Sequence, residues 1–442
     1  MLKIKRLIIK KLFGTFDYDI RLSPDDLTVL IGPNGYGKTT ILRILFEIAQ
    51  RNFLYFVGLY FQKIEVVSSD ESNNERSITI EKRDNGKEML VSINGQPFSI
   101  SIEKILEIID ESLPFFRETK DNINKWIDNR TESQVNLSSV ITTFVNTHNA
   151  GNKITEDTLR RVNHSFEEIP DFQFPNIYLI REQRLLRKVE NKDYKEYVDG
   201  IYSNRQQQPR LIYEETINKY ANLLKEIIDE TDSEYAEKSR ALDGSYPQRL
   251  FESKEGITEK DFRERFDKIK KTQELLREYG LSVTQEANRP EFDSANAKAL
   301  SVYINDVEEK LRVYEQLLKT MNLFSAILNS RKFSQKKITI SKGHGLKFIA
   351  DNGDSLELSD LSSGEQHEVV LLFDLLFQAD SNTLVLIDEP EISLHIAWQK
   401  MFLADMQKII ELRKIAVMVA THSPQIVGDY WDNVVDLGGE VE

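Results

Sequence analysis

Apolar and polar residues alternate from the start of the chain. Ile4, Arg6 and Ile8, then Ile20 and Leu22, step by two, which predicts strands over residues 1 to about 31. Leu27 to Ile31 is a continuous apolar run and Thr40 to Ile48 has helical spacing, so a strand–loop–helix unit is expected there. Alternation returns over residues 63 to 102, with Asn85-Gly86 and Asn94-Gly95 as hairpin signals. Residues 103 to 170 read as helical and irregular. Pro170 and Pro175 then bracket a break before Ile177-Tyr178-Leu179-Ile180, a short buried-strand run.

The pattern from about 209 to 330 is helical. Leu300, Ile304, Val307, Leu311, Tyr314, Leu318, Met321 and Leu328 recur by threes and fours, with one lapse at Ser325. This predicts a helix packed along one seam. Ile217, Tyr220, Leu224 and Ile227 mark one candidate partner; Phe262, Phe266, Ile269 and Leu276 mark another. Turns are expected at Gly244 to Pro247 and at Gly256. Helices of ~30 residues reach ~45 Å, so the arm they form is short. Residues 337 to 358 read as a hairpin turning at Asn352-Gly353, followed by a helix from Glu365 to Phe377. A strand, an acidic pair, a helix and a strand then lead to Thr421-His422-Ser423.

Composition narrows the class. With 442 residues, 40% hydrophobic and 29% charged, the chain has room for two or three globular domains. No apolar stretch approaches the ~20 residues that span a bilayer, and the N-terminus lacks the features of a signal peptide. The absence of cysteine excludes disulfides and thiolate metal sites and fits a cytoplasmic protein. A net charge of −14 argues for protein partners over a clamp that neutralises DNA phosphates. The local basic run Arg181, Arg184, Arg187 and Lys188 reads first as a solvated face.

Candidate chemistry falls in three separated segments. Gly32-Pro33-Asn34-Gly35-Tyr36-Gly37-Lys38-Thr39-Thr40 matches G-x-x-x-x-G-K-[ST] between the expected strand and helix. Its glycines let backbone N–H groups face phosphate oxygens, Lys38 suits the β- and γ-phosphates of ATP, and the Thr39 hydroxyl suits Mg²⁺. Thr40 opens a helix whose N-terminus favours anions. Asp388 ends the apolar run Leu384 to Ile387, which puts its carboxylate at the C-terminal edge of a buried parallel strand, where it can hold Mg²⁺. Glu389 is suited to polarise an attacking water as general base. Ser362, Ser363, Gly364 and Glu365 open a further helix, and His422 follows the apolar strand Ile415 to Ala420. A capped helix and a structural histidine are the plain alternatives for these last two segments.

Taken in order, these segments resemble the Walker A loop, signature, Walker B, D-loop (Ser393-Leu394-His395) and switch histidine of an ABC-type ATPase head. The resemblance is carried by residues 1–60 and 331–442. It implies an α/β fold, a P-loop NTPase head with an inserted α-helical arm or coiled-coil domain, and two heads closing on two ATPs. Each ATP would meet the Walker A loop of one protomer and Ser363 and Gly364 of the other. Gln183 is similar to the Q-loop glutamine that senses Mg²⁺, although it lies 145 residues after Lys38. That spacing and the helical arm resemble the SMC/RecF/OLD-like branch.

The domains expected are a head segment over 1–102, a helical insertion over 103–176, a Q-loop segment over 177–195, an arm over 196–330 and a second head segment over 331–442. Glu389 to His395 and Thr421 to Gln425 look most like OLD-type and antiphage-defence ATPases. OLD-type nucleases continue into a Toprim domain, whereas this sequence stops 20 residues after His422. The resemblance therefore points to the standalone ATPase subunits of PARIS or Septu defence systems. It implies an ATP-hydrolysing sensor and scaffold, a homo-oligomer, a separate effector nuclease and a phage protein as trigger. A RecF-like DNA-repair ATPase is the competing reading.

Overall fold

The computed structural model describes residues 2–113, 115–119, 122–149, 153–181, 186–189, 212–281, 291–331 and 336–439. The first strands, β1 (Lys3–Leu12) and β2 (Phe16–Arg21), form an antiparallel hairpin, and β3 (Leu27–Ile31) leads into helix α1 (Lys38–Ala49). After α2 (Phe53–Gly58) come β4 (Lys63–Ser69), β5 (Glu75–Arg83), β6 (Glu88–Ile93) and β7 (Gln96–Ser101). Together with the first hairpin they make a six-stranded antiparallel sheet in the order β2-β1-β4-β5-β6-β7.

The insertion that follows differs from the helical segment expected. Between α3 (Ile102–Ser112) and the helices α4 (Leu137–Asn149) and α5 (Lys153–His164) lies a three-stranded sheet of β8 (Phe116–Thr119), β9 (Asn122–Asp128) and β10 (Ser133–Asn136). These strands are short and polar, and Phe116 and Trp126 are their buried anchors. Too few apolar positions alternate for a period of two to stand out.

Strand β11 (Ile177–Ile180) returns the chain to the centre. A small pair, β12 (Leu186–Val189) with β13 (Ile212–Glu215), precedes the arm. The arm consists of α6 (Thr216–Glu252), α7 (Glu259–Glu278), α8 (Ala297–Arg312) and α9 (Glu315–Ser330). At 37 residues, α6 is about 55 Å long. Gly244 to Pro247, expected as a turn, lie inside it. Proline removes a backbone donor in mid-helix. Side chains also bond back along this stretch, where Leu242 O accepts from the Arg249 guanidinium and, at 3.3 Å, from Ser245 Oγ. The seam helix is interrupted at Val313–Tyr314, and its lapse at Ser325 is filled by buried Phe324 and Ile327. Both expected partners pack in the same core, since Tyr220, Leu224, Phe262, Phe266 and Ile269 are buried with it.

Residues 336–356 form three strands, β14 (Lys336–Ser341), β15 (Gly345–Ala350) and β16 (Ser355–Leu356). Asn352-Gly353 joins the last two, and a second turn at 342–344 joins the first two. At Gly345 (φ 64°) an added Cβ would sit 2.0 Å from the Ala221 carbonyl oxygen, so only glycine lets the base of α6 cross β15 so closely. Helix α10 (Ser363–Phe373), β17 (Leu384–Asp388), α11 (Phe402–Arg413), β18 (Ala416–Thr421) and β19 (Val434–Asp436) complete the chain.

The central sheet is parallel throughout, in the order β11-β17-β18-β3-β19. Its strands are apolar on both faces because both faces are covered. Leu27, Val29, Val385, Ile387, Val417 and Val419 point to a core shared with the arm base, α10 and α11. Leu30, Leu384, Leu386, Met418 and Ala420 point to a second core shared with α1 and the antiparallel lobe. Among the described residues, no helix is long and apolar enough to cross a membrane.

Candidate functional site

The loop from Gly32 to Gly37 joins the C-terminal end of β3 to the N-terminus of α1. Gly35 (φ 88°) and Gly37 (φ 82°) adopt the left-handed conformation. Gly32 does not; its small size serves close packing, because a Cβ there would lie 3.2 Å from that of Leu437. A Cβ on Gly35 would meet no atom within 4 Å, so the loop is open at that point. Pro33 and Asn34 are exposed beside it. Gly37 heads α1 without a side-chain cap, which leaves the helix's first turn, Thr40 included, to a ligand.

Lys38 is buried, and its Nζ donates to Gly32 O (2.7 Å) and Pro33 O (3.2 Å). The ammonium is thereby held inside the loop with a third donor still available. The Tyr36 carbonyl accepts from the Tyr18 hydroxyl at 2.6 Å. Burial, with Tyr36 adding to it, pushes that phenol up to about 12, so it stays a donor at neutral pH. Phe16 packs on the Tyr36 ring, whereas Phe13 sits against Gly37 with 43% of its surface exposed.

Opposite the loop, across β18, β17 ends in Asp388. Thr39 Oγ1 donates to Asp388 Oδ1 at 3.0 Å, although the two residues are 349 positions apart. A hydroxyl and a carboxylate so close, at a phosphate loop, fit a Mg²⁺ that keeps waters and substrate oxygens as its other ligands. The next residue, Glu389, is left-handed (φ 43°), and its N–H is tied to Ala420 O at 2.9 Å. Strained non-glycine backbone of this kind costs on the order of 1–3 kcal/mol and concentrates at functional sites. His422, just past β18, brings its Nδ1 to 3.7 Å from Glu389 Oε1.

Glu391 and Gln399 belong to this group although motif reading passes over them. Glu391 is buried, and its Oε1 accepts from Thr421 Oγ1 (2.6 Å) and from the His422 N–H (2.9 Å). Gln399 Nε2 donates to Leu394 O (3.0 Å) and Glu391 O (3.3 Å), and its Oε1 accepts from Ser423 Oγ at 3.1 Å. The available signal for Glu391 was an acid two residues past Glu389 in the same short turn.

The Ser362–Glu365 segment lies at the exposed N-terminus of α10. Ser362 caps the helix by accepting from the Glu365 N–H, and Glu365 Oε2 accepts in return from the Ser362 N–H at 2.8 Å. Lys336 Nζ reaches the same oxygen at 2.9 Å. Burial pushes the Glu365 carboxyl up, but Lys336 and Ser362 outweigh it and hold the group below the ordinary range. Glu365 thus builds the turn, while Ser362 and Ser363 face solvent. Gln183 and Arg184 lie outside the described residues, as do the side chains of Arg187 and Lys188; Arg181 is exposed. In the Ser393–His395 turn, His395 Nδ1 accepts from the Ala397 N–H at 3.3 Å, capping a short helix.

The profile of a family described as AAA ATPase domain matches residues 2–427. The chain belongs to that family. The loop, the carboxylate at the end of β17 and the strand between them lie in one parallel α/β unit, and the arm is inserted between its two halves. No curated protein matches this AAA ATPase domain. Among solved structures, it is similar to the Smc head domain with an extended coiled coil from Pyrococcus furiosus, bound to the C-terminal domain of ScpA. That likeness has 15% identity and a TM-score of 0.38, covering 99% of this chain and 93% of the other. The SMC head domain from Thermotoga maritima matches at 13% identity and a TM-score of 0.35, with 96% and 91% covered.

Proposed function

We propose that the protein binds ATP with Mg²⁺ and hydrolyses it between two heads. The observation that carries this reading is the meeting of Thr39, Asp388, Glu389 and His422 at one edge of the parallel sheet, facing a loop that holds Lys38. In this mechanism the loop N–H groups and Lys38 bind the phosphates, and Thr39 with Asp388 would hold the cation, with Gln183 as a further candidate ligand. Mg²⁺, when bound, neutralises charge on the transferring phosphoryl group. Glu389 takes a proton from the attacking water, and His422 orients the γ-phosphate end. Ser362 and Ser363, exposed at the start of α10, and half-buried Gly364 serve the partner head's ATP. Exposed Ile392, Ile396 and Met401 beside the acidic turn support a contact between heads there. Phosphate release measured on the purified chain tests this reading; no turnover above that of Glu389→Gln at any protein concentration overturns it.

The finer reading is a sensor and scaffold of an antiphage system, of PARIS or Septu type, that controls a separate nuclease. It rests on the resemblance of Glu389 to His395 and Thr421 to Gln425, and the net charge of −14 accords with protein partners. Plaque assays with the chain and its neighbouring genes, with and without Lys38→Ala, decide it. Protection that ignores this substitution overturns the defence role. Salt-sensitive DNA binding by the purified chain would favour the RecF-like reading instead.

A further inference from the structure

We infer that Glu391 is a positioning residue for His422, a role separate from the general-base role of Glu389. The inference rests on the ATPase reading above and concerns which of two neighbouring carboxylates sets the histidine.

Three groups converge on one oxygen of Glu391. Thr421 Oγ1 lies 2.6 Å from Oε1, the His422 backbone N–H donates to it at 2.9 Å, and the His422 ring Nδ1 lies at 3.2 Å. Glu389 is farther from the same ring nitrogen, at 3.7 Å. The Glu391 side chain is 5% exposed, against 22% for Glu389 and 44% for His422. Its second oxygen, Oε2, is buried and has no hydrogen-bond partner among the described residues.

That asymmetry is informative. A buried carboxylate with an idle oxygen is a costly way to accept two neutral hydrogen bonds, since an amide would do the same without the charge. Among the described residues, the charge-bearing partner of Glu391 is the imidazole. A carboxylate oxygen at 3.2 Å suits an Nδ1–H rather than a bare Nδ1, so the contact favours the tautomer that leaves Nε2 for a ligand. The backbone bond to His422 and the hydroxyl bond to Thr421 hold the end of β18 in the same grip. Gln399 closes the unit by joining the Glu391 carbonyl to Ser423. Glu391 therefore sets the tautomer and direction of the ring, and Glu389 is left free for water.

The test compares Glu391→Ala and Glu391→Gln with the unchanged full-length chain. Glu391→Ala is expected to lower kcat at least tenfold while the Kd for a fluorescent ATP analogue stays within twofold. Glu391→Gln, which keeps an acceptor oxygen for Thr421 and the His422 N–H, should retain more turnover than alanine. A kcat within twofold of the unchanged chain in Glu391→Ala overturns the inference.

A second measurement needs neither nucleotide nor turnover. In ¹⁵N-histidine-labelled protein, the His422 ring signals, assigned by their loss in His422→Gln, should shift in Glu391→Gln while those of the other five histidines stay. Unmoved His422 signals overturn the inference even where kcat falls. If the unchanged chain has no turnover, the ATPase reading fails and the ring signals alone decide the role of Glu391.

Discussion

The glycine-rich loop before α1 and the base of the arm hold the same candidate site by opposite means. At the loop, the ties are short in sequence: Lys38 bonds to carbonyls five and six residues away, and glycine conformation does the rest. At the arm base, the ties are buried and long in sequence. Arg331, at the end of α9, reaches Glu368 of α10 at 2.9 Å and Asp405 of α11 at 2.6 Å. Its carbonyl accepts from Trp398 Nε1 at 3.2 Å. Near the start of α6, the Tyr220 hydroxyl donates to Asp374, which also accepts from Tyr178 of β11 at 2.8 Å, and the Tyr220 ring stacks on Phe373. Thus the first and last helices of the arm both fasten to the helix that begins at Ser363. The phosphate side of the site is held by its own backbone, whereas the Ser362–Gly364 side is held by the arm.

One change breaks the loop side alone. Lys38→Ala removes the buried ammonium and should weaken ATP binding more than tenfold, about 1.4 kcal/mol or more, while the unfolding midpoint in urea changes little. Unchanged nucleotide affinity in equilibrium titration would remove the loop from the site. Glu389→Gln is next. It should cut kcat by about 10²-fold or more with ATP affinity preserved, because the proton acceptor is lost and the binding groups remain. Single-turnover phosphate release measures this, and normal turnover would sink the general-base role.

The same contrast explains what the sequence made legible. The loop and the acidic strand end announce themselves because each is a short run of residues whose backbone context is local. The parallel sheet was legible from its apolar runs, and the seam of the last arm helices from its period. The strands of residues 116–136 were not, since Phe116 and Trp126 are isolated anchors in polar segments. Pro247 misled because its usual meaning is a turn, whereas here it continues a long helix in which Ser245 and Arg249 bond back to Leu242 O. Glu391 was overlooked beside Glu389 because its meaning lies in Thr421 and His422, thirty and thirty-one residues away. The Arg331 ties, spanning 37 and 74 residues, leave no local pattern at all.

The arm side is broken by Arg331→Met. Removing one partner leaves Glu368 and Asp405 buried without their shared cation, which should cost about 3–5 kcal/mol in urea unfolding. Asp405 keeps Lys408 at 2.9 Å, so pairing the change with Glu368→Leu should recover part of that loss. A single variant as stable as the unchanged chain would mean that the ion pairs do not hold the arm base.

Tyr220→Phe is the smallest and most discriminating change. It keeps the ring stack on Phe373, at 4.4 Å, and deletes one hydrogen bond to Asp374. Because Tyr178 still donates to the same carboxylate oxygen, the cost should be about 1 kcal/mol. Tyr178→Phe should cost a similar amount, and the double variant more than their sum, since both hydroxyls serve one buried acceptor. ATP affinity should be the same in all three, because the phosphate side is held by its own backbone. Additive costs would show that the two hydroxyls act independently, and a change in ATP affinity would show that the arm base reaches the loop after all.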